Sequence, residues 1–138
     1  MKTLVVEDDS TNRLALQALL SRFGECHAVV NGTEAVEAAA NALTIGKPYD
    51  LVCLDIMMPE LDGHAALNQI RNAEARMGLT SSHGAKIVMI TSLTDANNVV
   101  KAFYGLCDGY LPKPIDGVRL LELLKDLNLD TSVPNDAK

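Results

Sequence analysis

Four short apolar runs constrain this chain more than any other feature. They are Leu4-Val5-Val6, Ala28-Val29-Val30, Leu51-Val52-Cys53-Leu54 and Ile87-Val88-Met89-Ile90. Consecutive apolar positions over so short a length describe strands buried on both faces, which is the condition of a parallel sheet covered by helices. Each run hands over to polar residues. Glu7-Asp8-Asp9 follows the first, Asn31-Gly32 the second, Asp55 the third and Thr91-Ser92 the fourth. A fifth, weaker strand centres on Gly109-Tyr110-Leu111 and runs into Pro112-Lys113-Pro114.

The segments between the runs change period. Ser10 is positioned to cap a helix whose apolar face carries Ala15, Leu16, Leu19, Leu20 and Phe23, with Gly24 as its stop. Thr33 caps a second, with Val36, Ala39, Ala40 and Leu43 inward, ended by Gly46 and Pro48. After Asp62-Gly63 a third carries Leu67, Ile70, Ala73 or Glu74, and Met77. Asp95 opens a fourth with Val99, Ala102 and Phe103, and Asp116 a fifth with Leu120, Leu121, Leu123, Leu124 and Leu127. Strands that alternate with helices define an α/β fold with a parallel sheet. Five strands and five helices fit the flavodoxin-like doubly wound order 2-1-3-4-5, whose ligand crevice lies between strands one and three. One domain over residues 1–129 is expected, followed by a short polar tail over 130–138.

Composition narrows the function classes. The net charge of −6 over 138 residues argues against a direct nucleic-acid surface, which needs clustered cations. No apolar stretch approaches a membrane span, so no membrane insertion is expected. The N-terminus reaches acid before a signal-peptide core could form, which points to the cytoplasm. Cys26, Cys53 and Cys107 lack metal-type spacing and read as reduced, structural thiols. His27, His64 and His83 are scattered, without ligand spacing.

In the order 2-1-3-4-5, the strand ends bring Glu7, Asp8, Asp55, Thr91 and Lys113 to one edge of the sheet. Clustered carboxylates repel, and a hard divalent cation such as Mg²⁺ relieves that repulsion through oxygen ligands. A carboxylate can itself accept a phosphoryl group, with a metal, an ammonium and a hydroxyl neutralising the phosphoryl oxygens. The ordered set Val6-Glu7-Asp8, Leu54-Asp55-Ile56-Met57-Met58-Pro59, Asp62-Gly63, Thr91-Ser92 and Lys113-Pro114 resembles the receiver domain of two-component response regulators, over residues 3 to about 127. The resemblance implies that Asp55 is the phosphoacceptor. It implies Asp8 as direct ligand of Mg²⁺ (or Mn²⁺), Glu7 as ligand through water, and the Met57 backbone carbonyl completing the protein's share. It also implies Thr91 as switch hydroxyl, Tyr110 as the aromatic that follows it inward, Lys113 as phosphate partner, and a cis Lys113-Pro114 bond. Met57 and Leu93 would border the path of the water that removes the phosphate, and two apolar side chains there predict slow self-dephosphorylation.

Phosphorylation-dependent signal transduction is therefore the leading expectation. The donor is a histidine kinase or a histidine phosphotransfer protein, and the output is a switched face for an unknown downstream protein, since no output domain is expected to be fused. The alternative is a Mg²⁺-dependent phosphohydrolase of the haloacid dehalogenase type, also built on an Asp nucleophile. Such enzymes place a general acid two residues after the nucleophile, where this chain has Met57. An enzyme turning over small substrates is accordingly not expected, only self-phosphorylation and self-dephosphorylation. A scaffold that never uses its phosphate site ranks last.

Overall fold

The computed structural model of the chain describes residues 1–56, 58, 61–79, 83–91 and 107–132. All expected strands are among them: β1 (Thr3–Val6), β2 (Cys26–Val29), β3 (Leu51–Asp55), β4 (Lys86–Thr91) and β5 (Gly109–Pro112). They pair in parallel throughout, in the expected order β2-β1-β3-β4-β5. The helices are α1 (Ser10–Leu20), α2 (Gly32–Thr44), α3 (Gly63–Arg76) and α4 (Gly117–Asp126), with one 3₁₀ turn at Ser21–Phe23. The described residues thus hold four α-helices against the five expected. The helix expected from Asp95, with Val99, Ala102 and Phe103, falls outside them.

The strands are apolar at consecutive positions because the sheet is covered on both sides. Leu4, Val6, Val52, Leu54, Ile87 and Met89 pack on one face with Ala35, Ala39, Leu67 and Ile70 of α2 and α3. Val5, Leu51, Cys53, Val88, Ile90 and Leu111 pack on the other with Leu16, Leu20, Leu120 and Leu124 of α1 and α4. Alternate residues of one strand therefore feed two separate cores. β2, at the edge, carries only partly buried or exposed side chains.

Several local expectations shift. α1 is capped by Asp9, not Ser10, because Asp9 holds the extended backbone and its carboxylate accepts from Thr11 N at 2.9 Å. α2 is capped by Asn31, not Thr33, through Glu34 N at 2.8 Å. Asp62 and Asp116 cap α3 and α4. The small residues Ala35, Ala39 and Ala42 take the innermost face of α2, with Val36 at its margin. Ala15 is exposed. Met77, expected inward, is 55% exposed, because α3 ends at Arg76 and Met77 is its C-cap.

Glu74 does face inward, and it has a partner on its own helix. Arg71, 5% exposed, donates to Glu74 Oε1 at 2.6 Å, to the Ala85 carbonyl at 2.8 Å and to Asp108 Oδ2 at 2.8 Å. The other Glu74 oxygen accepts from Ala85 N at 2.7 Å, and Asp108 Oδ2 also accepts from Ile87 N at 2.8 Å. This network ties α3 to the segments entering β4 and β5, at the sheet end opposite Asp55. Removing one member of a buried ion pair leaves a stranded charge. Arg71→Met should accordingly lower the unfolding free energy by about 3–5 kcal/mol in a urea titration.

Among the cysteines, Cys53 is fully buried, and burial pushes its thiol up to about 12. Burial also raises the half-buried Cys26 and Cys107. The thiolate is the reactive form, so near neutral pH Cys53 should resist an aromatic disulfide reagent in the native protein and react only on unfolding, after Cys26 and Cys107.

Candidate functional site

The register of β1 on β3 pairs Val6 with Leu54, so the next residues, Glu7 and Asp55, leave the sheet side by side. β1 is the first strand and β3 the third, and the winding of the sheet reverses between them, which opens a crevice at their carboxyl ends. Into this crevice come Glu7, 1% exposed, and Asp55, 2% exposed, with the exposed Asp8 at its rim. One carboxylate oxygen from each of Glu7, Asp8 and Asp55 lies within 4.8 Å of the others.

β5 delivers the counter-charge. The Lys113 main chain is fastened to β4 by a hydrogen bond from its N–H to the Thr91 carbonyl at 2.6 Å. Its ammonium donates to Asp55 Oδ2 at 3.0 Å and lies 3.2 Å from Glu7 Oε1. The second contact is an ion pair without hydrogen-bond geometry, so Glu7 Oε1 is buried with no hydrogen-bond partner among the described residues. Burial, and then the neighbouring Asp55 carboxylate, push the Glu7 carboxyl above its ordinary range, with Lys113 pulling it partly back. Burial alone would depress the Lys113 ammonium, but Asp55 and Glu7 outweigh it and hold the group above its usual value.

The remaining expected residues distribute as follows. Thr91, 2% exposed, ends β4 one position past Ile90, the register partner of Asp55. Tyr110 pairs with Met89 in register and is 45% exposed. The Lys113-Pro114 bond is cis, as expected. Met57 and Leu93 lie outside the described residues.

Two features of the site were not anticipated. Arg13 of α1 donates through Nη1 to the main-chain carbonyls of Glu7, at 3.1 Å, and Asp8, at 3.3 Å. No local pattern marks it, since an arginine in the first turn of a helix reads as solvated. The second is the close packing of Gly63, which with Asp62 opens α3. Its N–H donates to the Ile56 carbonyl at 3.0 Å, so α3 starts directly against the backbone that follows Asp55. A Cβ there would overlap the Asp55 carbonyl oxygen and stand 2.7 Å from Ile56 Cα.

A parallel sheet in this order, with acids at its switch point and a lysine facing them from the last strand, is a doubly wound α/β domain with its ligand crevice at the carboxyl ends of β1 and β3. The description "Response regulator receiver domain" fits the family model that matches residues 3–125, and the chain belongs to that family. Among curated relatives, it is 30% identical over 133 residues to the chemotaxis protein CheY of Bacillus subtilis, covering 92% of this chain and 98% of CheY. It is 35% identical over 130 residues to hybrid signal transduction histidine kinase G of Dictyostelium discoideum, covering 92% of this chain and only 3% of that kinase. Among solved structures, the receiver domain of an Arabidopsis thaliana histidine kinase, complexed with Mg²⁺, superposes with a TM-score of 0.75 at 23% identity, over 91% of this chain and 90% of that one. That likeness concerns the fold.

Because Gly63 touches the backbone of Asp55 and Ile56, Gly63→Ala should displace the β3–α3 connection and destabilise the protein by about 1–3 kcal/mol, the usual cost of overpacking. Chemical denaturation reads the loss. Amide shifts of residues 54–56 should move more than those of β1 and β2.

Proposed function

We propose that Asp55 accepts a phosphoryl group from a phosphohistidine on a histidine kinase or histidine phosphotransfer protein, and that the resulting charge switches a partner-binding face. The observation that carries this reading is the setting of Asp55. It is a buried carboxylate at the end of β3, 3.0 Å from the Lys113 ammonium and clustered with Glu7 and Asp8. In the transfer, an Asp55 oxygen forms the new bond to phosphorus as the phosphorus–nitrogen bond breaks. The imidazole nitrogen keeps the electron pair. Lys113, already against Asp55, stays as the cation facing the added phosphoryl oxygens.

The donor set fits Mg²⁺, or Mn²⁺ with the same oxygen preference. Its oxygens are hard, they converge, and the buried Glu7 Oε1 has a vacant lone pair among the described residues. Asp8 and Asp55 would hold the ion directly, Glu7 through water, and the Met57 carbonyl would complete the set. When bound, the ion supplies charge neutralisation at the carboxylates and the phosphoryl oxygens. The relatives agree with this class of function, since both a chemotaxis protein and hybrid histidine kinases carry similar segments.

The readout runs through β4 and β5. In this reading Thr91, buried at the end of β4, would bond the added phosphoryl group with its hydroxyl, and Tyr110, 45% exposed on β5, would follow it inward. Such a paired movement converts a local charge into a surface change read by a downstream protein. The protein passes or holds a phosphoryl group and does not turn over small phosphomonoesters.

Intact mass after incubation with acetyl phosphate and Mg²⁺ tests the assignment. One phosphoryl adduct is expected on the wild type, and none on Asp55→Asn or in excess chelator. An adduct on Asp55→Asn, or many turnovers of a chromogenic phosphomonoester, would refute it.

A further inference from the structure

We infer that Arg13 is a positioning residue for the acidic crevice, holding the β1–α1 turn in the one shape that makes the Glu7 and Asp8 carboxylates converge. The inference rests on the metal-dependent reading above.

The ladder between β1 and β3 ends at the Val6–Leu54 pair, so the peptide units of Glu7 and Asp8 lie beyond the sheet's support. The Glu7 N–H still reaches the Val29 carbonyl at 3.2 Å, and the Asp9 N–H donates to Glu7 Oε2 at 3.3 Å. The Glu7 and Asp8 carbonyls meet instead at a single nitrogen of Arg13, at 3.1 and 3.3 Å. Arg13 itself is anchored in α1, its N–H donating to the Asp9 carbonyl at 2.9 Å. Its side chain therefore spans from the helix back to the strand end, and it clamps two successive peptide units whose side chains are both metal ligands in this reading.

The choice of acceptor matters. Among the described residues, Arg13 makes no ion pair with Glu7, Asp8 or Asp55, and the cation beside Glu7 and Asp55 is Lys113. Lys113 occupies the carboxylate side, and Arg13 the carbonyl side. A planar guanidinium can satisfy two carbonyls from one nitrogen while its position is fixed by its helix.

Two effects of removing Arg13 oppose each other, and their signs differ. Loss of a cation near the acids would tighten Mg²⁺ binding, but a charge bonded to the far side of the backbone is partly screened by solvent. Loss of an outer support of the ligands weakens metal binding, typically by tenfold or more. A positioning role therefore predicts weaker binding, and a purely electrostatic one predicts tighter.

Calorimetric titration of the folded apo protein with MgCl₂ separates them. Arg13→Met keeps the stem and removes donors and charge, and should bind Mg²⁺ about tenfold more weakly than wild type. Arg13→Lys keeps the charge, restores one compact donor, and should fall between the two. Thermal melts without metal report stability, so a variant that melts lower yet binds Mg²⁺ as wild type does shows a merely structural arginine and overturns the inference. Unchanged or tighter binding in Arg13→Met overturns it as well. If Arg13→Met does not fold, Arg13→Lys decides alone, and wild-type affinity there sinks the idea. A wild type that fails to bind Mg²⁺, with Asp8→Asn indistinguishable from it, defeats the proposed function and with it this role. Failure of the arginine variants alone leaves that function standing.

Discussion

Two buried carboxylates sharing one lysine are the constraint on which the rest of this structure depends. Glu7 and Asp55 are both nearly inaccessible to water, and Lys113 lies within 3.2 Å of each. Bringing like charges together in a low-dielectric crevice costs free energy, and a single ammonium offsets only part of it. The raised Glu7 carboxyl records the remainder. A sequence selected for stability alone would place an apolar residue at one of these positions. Keeping both acids makes sense where a further cation enters the crevice and offsets their charge.

The fold supplies the opposing stabilisation. β1, β3 and β4 are covered on both faces, and their parallel register brings the Glu7 and Asp55 ends level. At the far end of the sheet, the Arg71–Glu74–Asp108 network holds α3, β4 and β5 together. The sheet thus carries an ionic cluster at each end, Arg71–Glu74–Asp108 at one and Glu7–Asp55–Lys113 at the other. The first ties α3 to the segments entering β4 and β5; the second lines the crevice at the carboxyl ends of β1 and β3.

Local pattern carried the architecture well because the relevant signals are short-range. An apolar run of four residues can be recognised without its neighbours, and so can a change to helical period. With those in hand, the strand number leads to the sheet order, and the order places the acids at strand ends. Lys113 could be assigned because two prolines and the sheet order set it near that edge. Cap positions were off by one or two residues, at Asp9 for Ser10 and Asn31 for Thr33, because Asp, Asn, Ser and Thr can all cap. Which of them does so depends on which residue adopts extended backbone, and that is decided when the preceding strand docks.

The sequence by itself determined the alternation of elements, the parallel sheet and its order, and the acids, hydroxyl and lysine available at its carboxyl edge. Only the tertiary structure decided which polar groups touch. Arg13 on two carbonyls, Arg71 bridging Glu74 and Asp108, and Gly63 against the Asp55 backbone each join residues through space. Periodicity reports which face of an element is apolar, a one-body property of each residue. Contacts between a helix and a strand end are pairwise, and they exist only once the sheet has set the distance between them.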